Sequence, residues 1–278
     1  MKYFTNKFFL IAIIQCLITG FAFGESLNTA KFQSNIAYIV DIDEQKVLHD
    51  KNSSKQTPIA SITKLMAAMV VFDAGQDLKE FISITNKDIA RQSSARYRLN
   101  LNTKIKREEA LLLGLMSSEN RSMKALARTY PGGEIAFTQA MNQKAQSLGM
   151  TDTFFVDSTG LSSKNVSSAR DLVILMNESL KYPLIKEYST MPSYQVDKGK
   201  KRYQNFVNTN PIVRSNTMDV LLQKTGYIRA AGRCLVIYAK IQGRNIAMVF
   251  LNSRGKYTRF IDATLAKKNI EKTLSSQH

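Results

Sequence analysis

Histidine is nearly missing: His49 and the terminal His278 are the two in 278 residues, beside two cysteines, five prolines and no tryptophan. Two histidines leave little room for a zinc site or a Ser-His-Asp triad, so a hydrolase built from this chain needs another base. Two cysteines exclude a disulfide scaffold. Glycine, at 13 residues, and proline are too sparse for a collagenous or low-complexity chain, and 44% hydrophobic residues is an ordinary globular share that supports a sizeable core. Acid is scarce against base: 22 Asp and Glu face 39 Lys and Arg, a net charge of +17. That positive charge is spread along the chain. It forms no dense basic block with interleaved aromatics and no nucleic-acid motif, so no nucleic-acid partner is expected.

The first residues read as an export signal. Lys2 and Lys7 precede an apolar run from Phe8 to Ile14, and Ala22-Phe23-Gly24 puts small residues at −3 and −1 before Glu25. This is the three-part pattern of a cleaved leader over residues 1–24. The alternative is a retained anchor, but Gln15, Thr19 and Gly20 interrupt a stretch that barely reaches the roughly 20 residues a span needs. No second run of that length follows, so residues 25–278 are expected to form one soluble domain, without repeats or linker. Cleavage removes Cys16 and leaves Cys234 in a strand-like run, where a lone cysteine reads as a small buried hydrophobe. For an exported basic protein, an anionic envelope polymer and a solvated surface without a specific partner both fit.

Strands are predicted at Ala37–Ile42 and Lys46–His49 around a Glu44-Gln45 turn, then helices at Ser61–Asp73, Arg107–Met116, Met123–Tyr130, Glu134–Leu148 and Ala169–Tyr182, the last stopped by Pro183. Val220–Ile228, Cys234–Ile241 and Asn245–Ser253 are predicted strands, with Gln242-Gly243-Arg244 pairing the last two antiparallel. A helix over Phe260–Leu274 with Ile261, Leu265 and Ile270 inward closes the chain. The order implies an α+β fold in which strands from both ends join one antiparallel sheet with helices on both faces.

Three short motifs follow in order. In Ser61-Ile62-Thr63-Lys64 the lysine lies one helical turn beyond the serine. A hydroxyl attacks only if a base takes its proton, and an amine can be that base when burial and positive neighbours lower its pKa. Amides at the helix start favour a developing oxyanion. Ser118-Glu119-Asn120 falls at a break between two apolar helices, where a hydroxyl can relay a proton and an amide can hold substrate and lysine together. Lys224-Thr225-Gly226 lies on a predicted inner strand, where lysine and threonine can grip a carboxylate and glycine admits a close backbone. Each alone is weak: a helix cap, a loop cap or an edge-strand lysine explains it as well, and Ser253-Arg254-Gly255-Lys256 repeats the first pattern by chance. The ordered combination carries the argument, because S-x-x-K, S-x-N and K-T-G together mark active-site serine enzymes of penicillin-binding type.

With these motifs the chain resembles the low-molecular-mass penicillin-binding proteins that are D-alanyl-D-alanine peptidases, most of all their soluble endopeptidase branch. The likeness extends to Pro58-Ile-Ala-Ser-Ile-Thr-Lys-Leu-Met, Leu115-Met-Ser-Ser-Glu-Asn-Arg, Tyr130-Pro-Gly-Gly, Thr159-Gly-Leu-Ser, Ala169-Arg-Asp-Leu and Lys224-Thr-Gly-Tyr-Ile-Arg-Ala-Ala-Gly. It implies the β-lactamase/transpeptidase-like fold, an antiparallel sheet of about five strands flanked by helices with a mostly helical subdomain inserted. Under it Ser61 is the acylated nucleophile, Lys64 its base, neutral through burial and the charge of Lys224, and Ser118 the proton shuttle. Asn120, Lys224, Thr225 and Gly226 bind substrate, and the amides of Ser61 and Tyr227 form the oxyanion hole. Glu119 can tune Lys64 by its charge. No metal or organic cofactor is implied. The implied partners are peptidoglycan peptide stems and, as covalent inhibitors, β-lactams; partner hydrolases are not specified. The implied location is the periplasm. The resemblance points to hydrolysis of D-alanyl cross-links, with removal of terminal D-alanine and a non-catalytic murein-binding scaffold as alternatives. No Glu-x-x-x-Asn element of β-lactamase type follows Thr159, so a penicilloyl ester is expected to persist. Only about fifty residues follow Gly226, too few for the extra C-terminal β domain usual in carboxypeptidase relatives, which favours the endopeptidase branch.

Overall fold

The computed structural model describes residues 31–89, 98–197 and 202–276; the expected leader over residues 1–24 lies outside them. The elements begin with β1 (Ile36–Asp41), β2 (Lys46–Lys51) and β3 (Thr57–Pro58), followed by a 3₁₀ turn (Ala60–Ile62) and α1 (Thr63–Asp73). Next come β4 (Phe81–Ser83), β5 (Lys104–Lys106), α2 (Arg107–Met116), α3 (Asn120–Arg128) and α4 (Gly133–Ser147). Then follow β6 (Val166–Ser167), α5 (Ala169–Ser179), α6 (Pro183–Thr190), β7 (Ser193–Asp197), β8 (Tyr203–Val207) and α7 (Pro211–Ser215). The chain closes with β9 (Asp219–Ile228), β10 (Gly232–Ile241), β11 (Arg244–Ser253) and α8 (Thr258–Ser275).

Five strands pair in the order β2-β1-β11-β10-β9, every neighbour antiparallel, so strands from both ends of the chain share one sheet as expected. Side chains alternate across it. On β10, Leu235, Ile237, Ala239 and Ile241 face one side, and Cys234, Val236 and Tyr238 the other. The first set packs under Phe260, Ala263, Ala266, Ile270 and Leu274 of α8. The second set joins the helical block of α1 to α5. Covering both faces accounts for the nearly unbroken apolar runs of β10 and β11.

Several expectations are corrected. Ile261 was expected inward but is 56% exposed; the sheet side of α8 runs through 263, 266, 270 and 274, which leaves 261 on the opposite face. The helix expected over Ala169–Tyr182 ends at Ser179, and Pro183, expected to stop it, starts α6 instead. Proline at the first helical position loses no hydrogen bond, because that N–H has no partner in any helix. The helix expected from Met123 begins at Asn120, since the Glu119 carboxylate caps it by accepting from Arg121 N at 3.3 Å. The β7–β8 hairpin went unpredicted: Val196 and Phe206 are its fully buried side chains, and the rest mixes polar and aromatic residues. The strand carrying Lys224, expected to be inner, is the edge strand β9.

α1 departs most from a one-faced helix. Every residue from Thr63 to Val71 is buried, so it runs through the middle of the helical block with no solvent face. One residue of that buried run is a lysine.

Replacing Ile270 with alanine should destabilise the protein by about 2–5 kcal/mol, whereas Ile261→Ala should cost no more than about 0.5 kcal/mol. Urea unfolding midpoints at constant m-value measure both; equal costs would contradict the orientation of α8.

Candidate active site

The turn that carries Ser61 is held from two sides, by Gly160 and by Gly226. Ala60 sits at φ +49°, a left-handed conformation uncommon for a residue with a Cβ. Two glycines make room for it. A Cβ on Gly160, itself at φ +79°, would lie 1.8 Å from the Ala60 carbonyl oxygen. A Cβ on Gly226 would come within 3.0 Å of Ala60 Cβ, Ile59 O and Ser61 N. The edge of β9 is therefore pressed against the Ser61 turn, and the glycine of the K-T-G motif permits the approach. Ser61 lies on the 3₁₀ turn and α1 starts at Thr63, two residues later than the expected helix start.

Lys64 is in the first turn of α1 and fully buried. Its Nζ is 2.7 Å from Ser61 Oγ, 2.8 Å from Asn120 Oδ1 and 2.7 Å from the Thr159 carbonyl oxygen. Burial lowers its pKa to about 7; the carboxylates of Asp157 and Glu119 oppose that shift without cancelling it. Near neutral pH a substantial fraction of the amine is thus uncharged. Glu119 is buried, and burial raises its own pKa although two backbone N–H groups, of Arg121 and Arg98, donate to it.

Ser118, at φ +61°, lies in the middle of the break between α2 and α3. Its hydroxyl accepts from Lys224 Nζ at 3.0 Å. Lys224 is fully buried on β9 and also donates to the Thr225 carbonyl at 3.0 Å. Burial first, and the charge of Lys64 second, hold its pKa well below the ordinary lysine value. Two buried amines facing one cleft cannot both stay charged, so the pair titrates as a unit. Thr225 Oγ1 lies 2.6 Å from Thr209 Oγ1, and Tyr227 is 57% exposed beyond it. Ser61, Ser118, Asn120, Thr225, Gly226 and Tyr227 line one cleft of about 310 Å³, and Lys64 and Lys224 reach its floor through their bonds to Ser61, Asn120 and Ser118.

The sequence reading gave no role to three further groups. Asp157 accepts from the backbone N–H groups of Thr159, Gly160 and Ser162 at 2.6, 2.8 and 3.1 Å, folding the loop that aims the Thr159 carbonyl at Lys64. Asn165 bonds Thr63 Oγ1 at 3.2 Å and the Asp157 carbonyl at 2.9 Å, joining that loop to α1. The Asp-Ser-Thr-Gly order was a readable turn signal. Arg259 gave none, because it comes to the cleft from the start of α8. It is 6% exposed, donates to the Lys256 carbonyl at 2.9 Å and leaves Nε without a partner. Burial and the Arg233 charge lower its pKa to about 10, which keeps it a cation at neutral pH.

Cys234 is buried and free, and burial pushes its thiol up to about 11, so it is inert in the core. No helix among the described residues is long and apolar enough to cross a membrane.

A serine, a neutral amine on its hydroxyl and a cationic strand edge at one cleft make a site for acyl transfer next to a carboxylate. Comparison with known proteins agrees. The family model described as D-alanyl-D-alanine carboxypeptidase matches residues 24–255. A D-alanyl-D-alanine endopeptidase of Pseudomonas aeruginosa is 43% identical over 239 residues, 86% of this chain and 77% of that protein. One from Escherichia coli is 44% identical over the same shares. Penicillin-binding protein D2 of Listeria monocytogenes, in an ampicillin-bound crystal structure, has the same fold, with a TM-score of 0.76 at 24% identity over 87% of this chain and 98% of that one.

The rate at which a β-lactam acylates Ser61 should rise with pH through a midpoint near 7 and level off above it, because the base works only when Lys64 is unprotonated. A rate flat from pH 5 to 9 would exclude this base. Gly160→Ala should lower that rate by on the order of 100-fold, since its Cβ must displace the Ala60 carbonyl. Stopped-flow acylation reads both effects.

Proposed function

The chain belongs to the D-alanyl-D-alanine carboxypeptidase family of serine peptidases, and on that footing we propose that it is a DD-endopeptidase that hydrolyses D-alanyl cross-links in peptidoglycan through an ester on Ser61. The observation that carries this reading is the contact of Lys64 Nζ with Ser61 Oγ at 2.7 Å, while Asn120 and the Thr159 carbonyl occupy its other directions. In the neutral amine, two N–H bonds serve those two acceptors, and the lone pair is left for the serine hydroxyl.

The incoming carboxylate next to the scissile bond pairs with Lys224 and Thr225, with Arg259 beside them. Pairing draws the shared proton onto Lys224, and its charge in turn favours the neutral form of Lys64. Ser61 Oγ attacks the D-alanyl carbonyl carbon as Lys64 takes its proton. The oxyanion forms at the amides of Ser61 and Tyr227; each such donor is typically worth about 3 kcal/mol of barrier. Collapse breaks the C–N bond, and Ser118, held by Lys224 at 3.0 Å, relays to the leaving amine the proton that Lys64 took from Ser61, which leaves both groups as they began. Water then hydrolyses the ester and returns Ser61. Asn120 spans the Lys64 amine and the peptide.

The endopeptidase assignment, over release of terminal D-alanine by the same groups, is supported by the two endopeptidases at 43% and 44% identity. Residues 25–278 act as one domain in the periplasm after removal of the leader, and β-lactams inhibit by forming a slowly hydrolysed ester on Ser61.

Purified protein should convert cross-linked dimer muropeptides to monomers and carry one penicilloyl group on Ser61 by mass spectrometry. Ser61→Ala should abolish the adduct and lower cleavage by on the order of 10⁴-fold or more. Release of D-alanine from pentapeptide monomers with dimers intact would replace the endopeptidase by a carboxypeptidase. Absence of any adduct would leave a murein-binding scaffold.

A further inference from the structure

Beyond Thr225 the cleft does not end in solvent. A second cavity of about 280 Å³ adjoins it, sharing Thr209 and Arg259 and adding Arg214, Arg233, Lys256 and Tyr257. Its cations arrive from separate places: Arg214 from α7, Arg233 from β10, Lys256 and Arg259 from the loop and first turn of α8. Among the described residues no carboxylate lines the cavity. Among the described residues none of the four forms an ion pair. What holds them is neutral: Arg214 Nη1 donates to the Asn208 carbonyl, the Arg233 guanidinium lies 4.5 Å over the Tyr227 ring, and Lys256 Nζ lies 5.2 Å from the Tyr257 ring. Arg259 keeps one buried donor, Nε, unpartnered at the junction of the two cavities. Four like charges around so small a space repel one another, and an anion seated there would offset the repulsion.

The chemistry of the leaving group supplies that anion; this step rests on the endopeptidase reading. The carboxylate held by Lys224 and Thr225 belongs to the departing amine, so what lies past Thr225 is on the leaving side. Free D-alanine has one carboxylate, and that one is already engaged. A departing diaminoacyl stem has a further carboxylate, its free C-terminus. We propose that Arg214, Arg233 and Lys256 form a subsite for the C-terminal carboxylate of the leaving stem, through which the enzyme favours cross-links over terminal D-alanine.

The test uses two synthetic dimers that differ only in the C-terminus of the stem donating the amine, free acid in one and primary amide in the other. The native enzyme should cleave the acid with a kcat/KM about tenfold higher, carried mainly by KM, as one charge-assisted contact predicts. In the triple variant Arg214→Gln, Arg233→Gln, Lys256→Gln the ratio should fall to about one, with penicillin labelling of Ser61 to completion as the sign of a folded site. Equal cleavage of both dimers by native enzyme, or a variant that loses activity while keeping the tenfold ratio, would overturn the subsite and leave the endopeptidase reading intact. If native enzyme cleaves neither dimer, that reading fails. The subsite is then judged by competition: the free tripeptide stem should slow benzylpenicillin acylation about tenfold more effectively than its amide in native protein, and equal potency would overturn it.

Discussion

A lysine that nothing solvates is the constraint on which the site depends. Lys64 belongs to a helix buried on every side, so its ammonium form loses hydration that three neutral acceptors only partly replace. The cost of burying charge appears as a pKa near 7 in place of the ordinary lysine value. A surface lysine at the same spacing from the same serine would stay protonated and could not act as a base. The apolar helix is therefore part of the chemistry, because it supplies the low dielectric that makes the amine neutral.

The second constraint is close packing at Ser61. Ala60 and Ser118 both hold left-handed backbone without being glycine, one beside Ser61 and one at the helix break. Such conformations cost on the order of 1–3 kcal/mol each and persist only where surroundings enforce them. Here the enforcement is visible: a side chain at Gly160 would collide with the Ala60 turn and one at Gly226 would crowd it, and the Asp157 loop is tied to α1 through Asn165. These contacts join residues about a hundred or more positions apart, so folding of the helical block and of the sheet edge must both be complete before Ser61 is in place.

The cleft is electrically lopsided. Its floor has two buried amines whose titrations are linked, and its far end adjoins Arg214, Arg233 and Arg259, while Asp157 and Glu119 lie on the Lys64 side. The net charge of +17 looks in the sequence like a general surface property; the fold concentrates part of it at one end of the cleft.

How much could be read beforehand follows from the range of the interactions. The sheet strands were legible because their alternation is local and both faces are buried. The helix over 107–116 was legible for a similar reason: Ser117 ends a dense apolar run. The start of α6 at Pro183 was missed because proline signals both a stop and a start, and neighbours three residues away do not decide between them. The β7–β8 hairpin was missed because two buried side chains leave almost no pattern. The sequence by itself determined the three motifs, their order and the chemical types needed for an amine-activated serine. Only the tertiary structure decided that Lys64 is dehydrated, that Lys224 reaches Ser118 from an edge strand, and that Arg259 and the Thr159 carbonyl complete the cleft. A pKa depends on what surrounds a group in space, and those surroundings are contributed by segments that no local pattern connects.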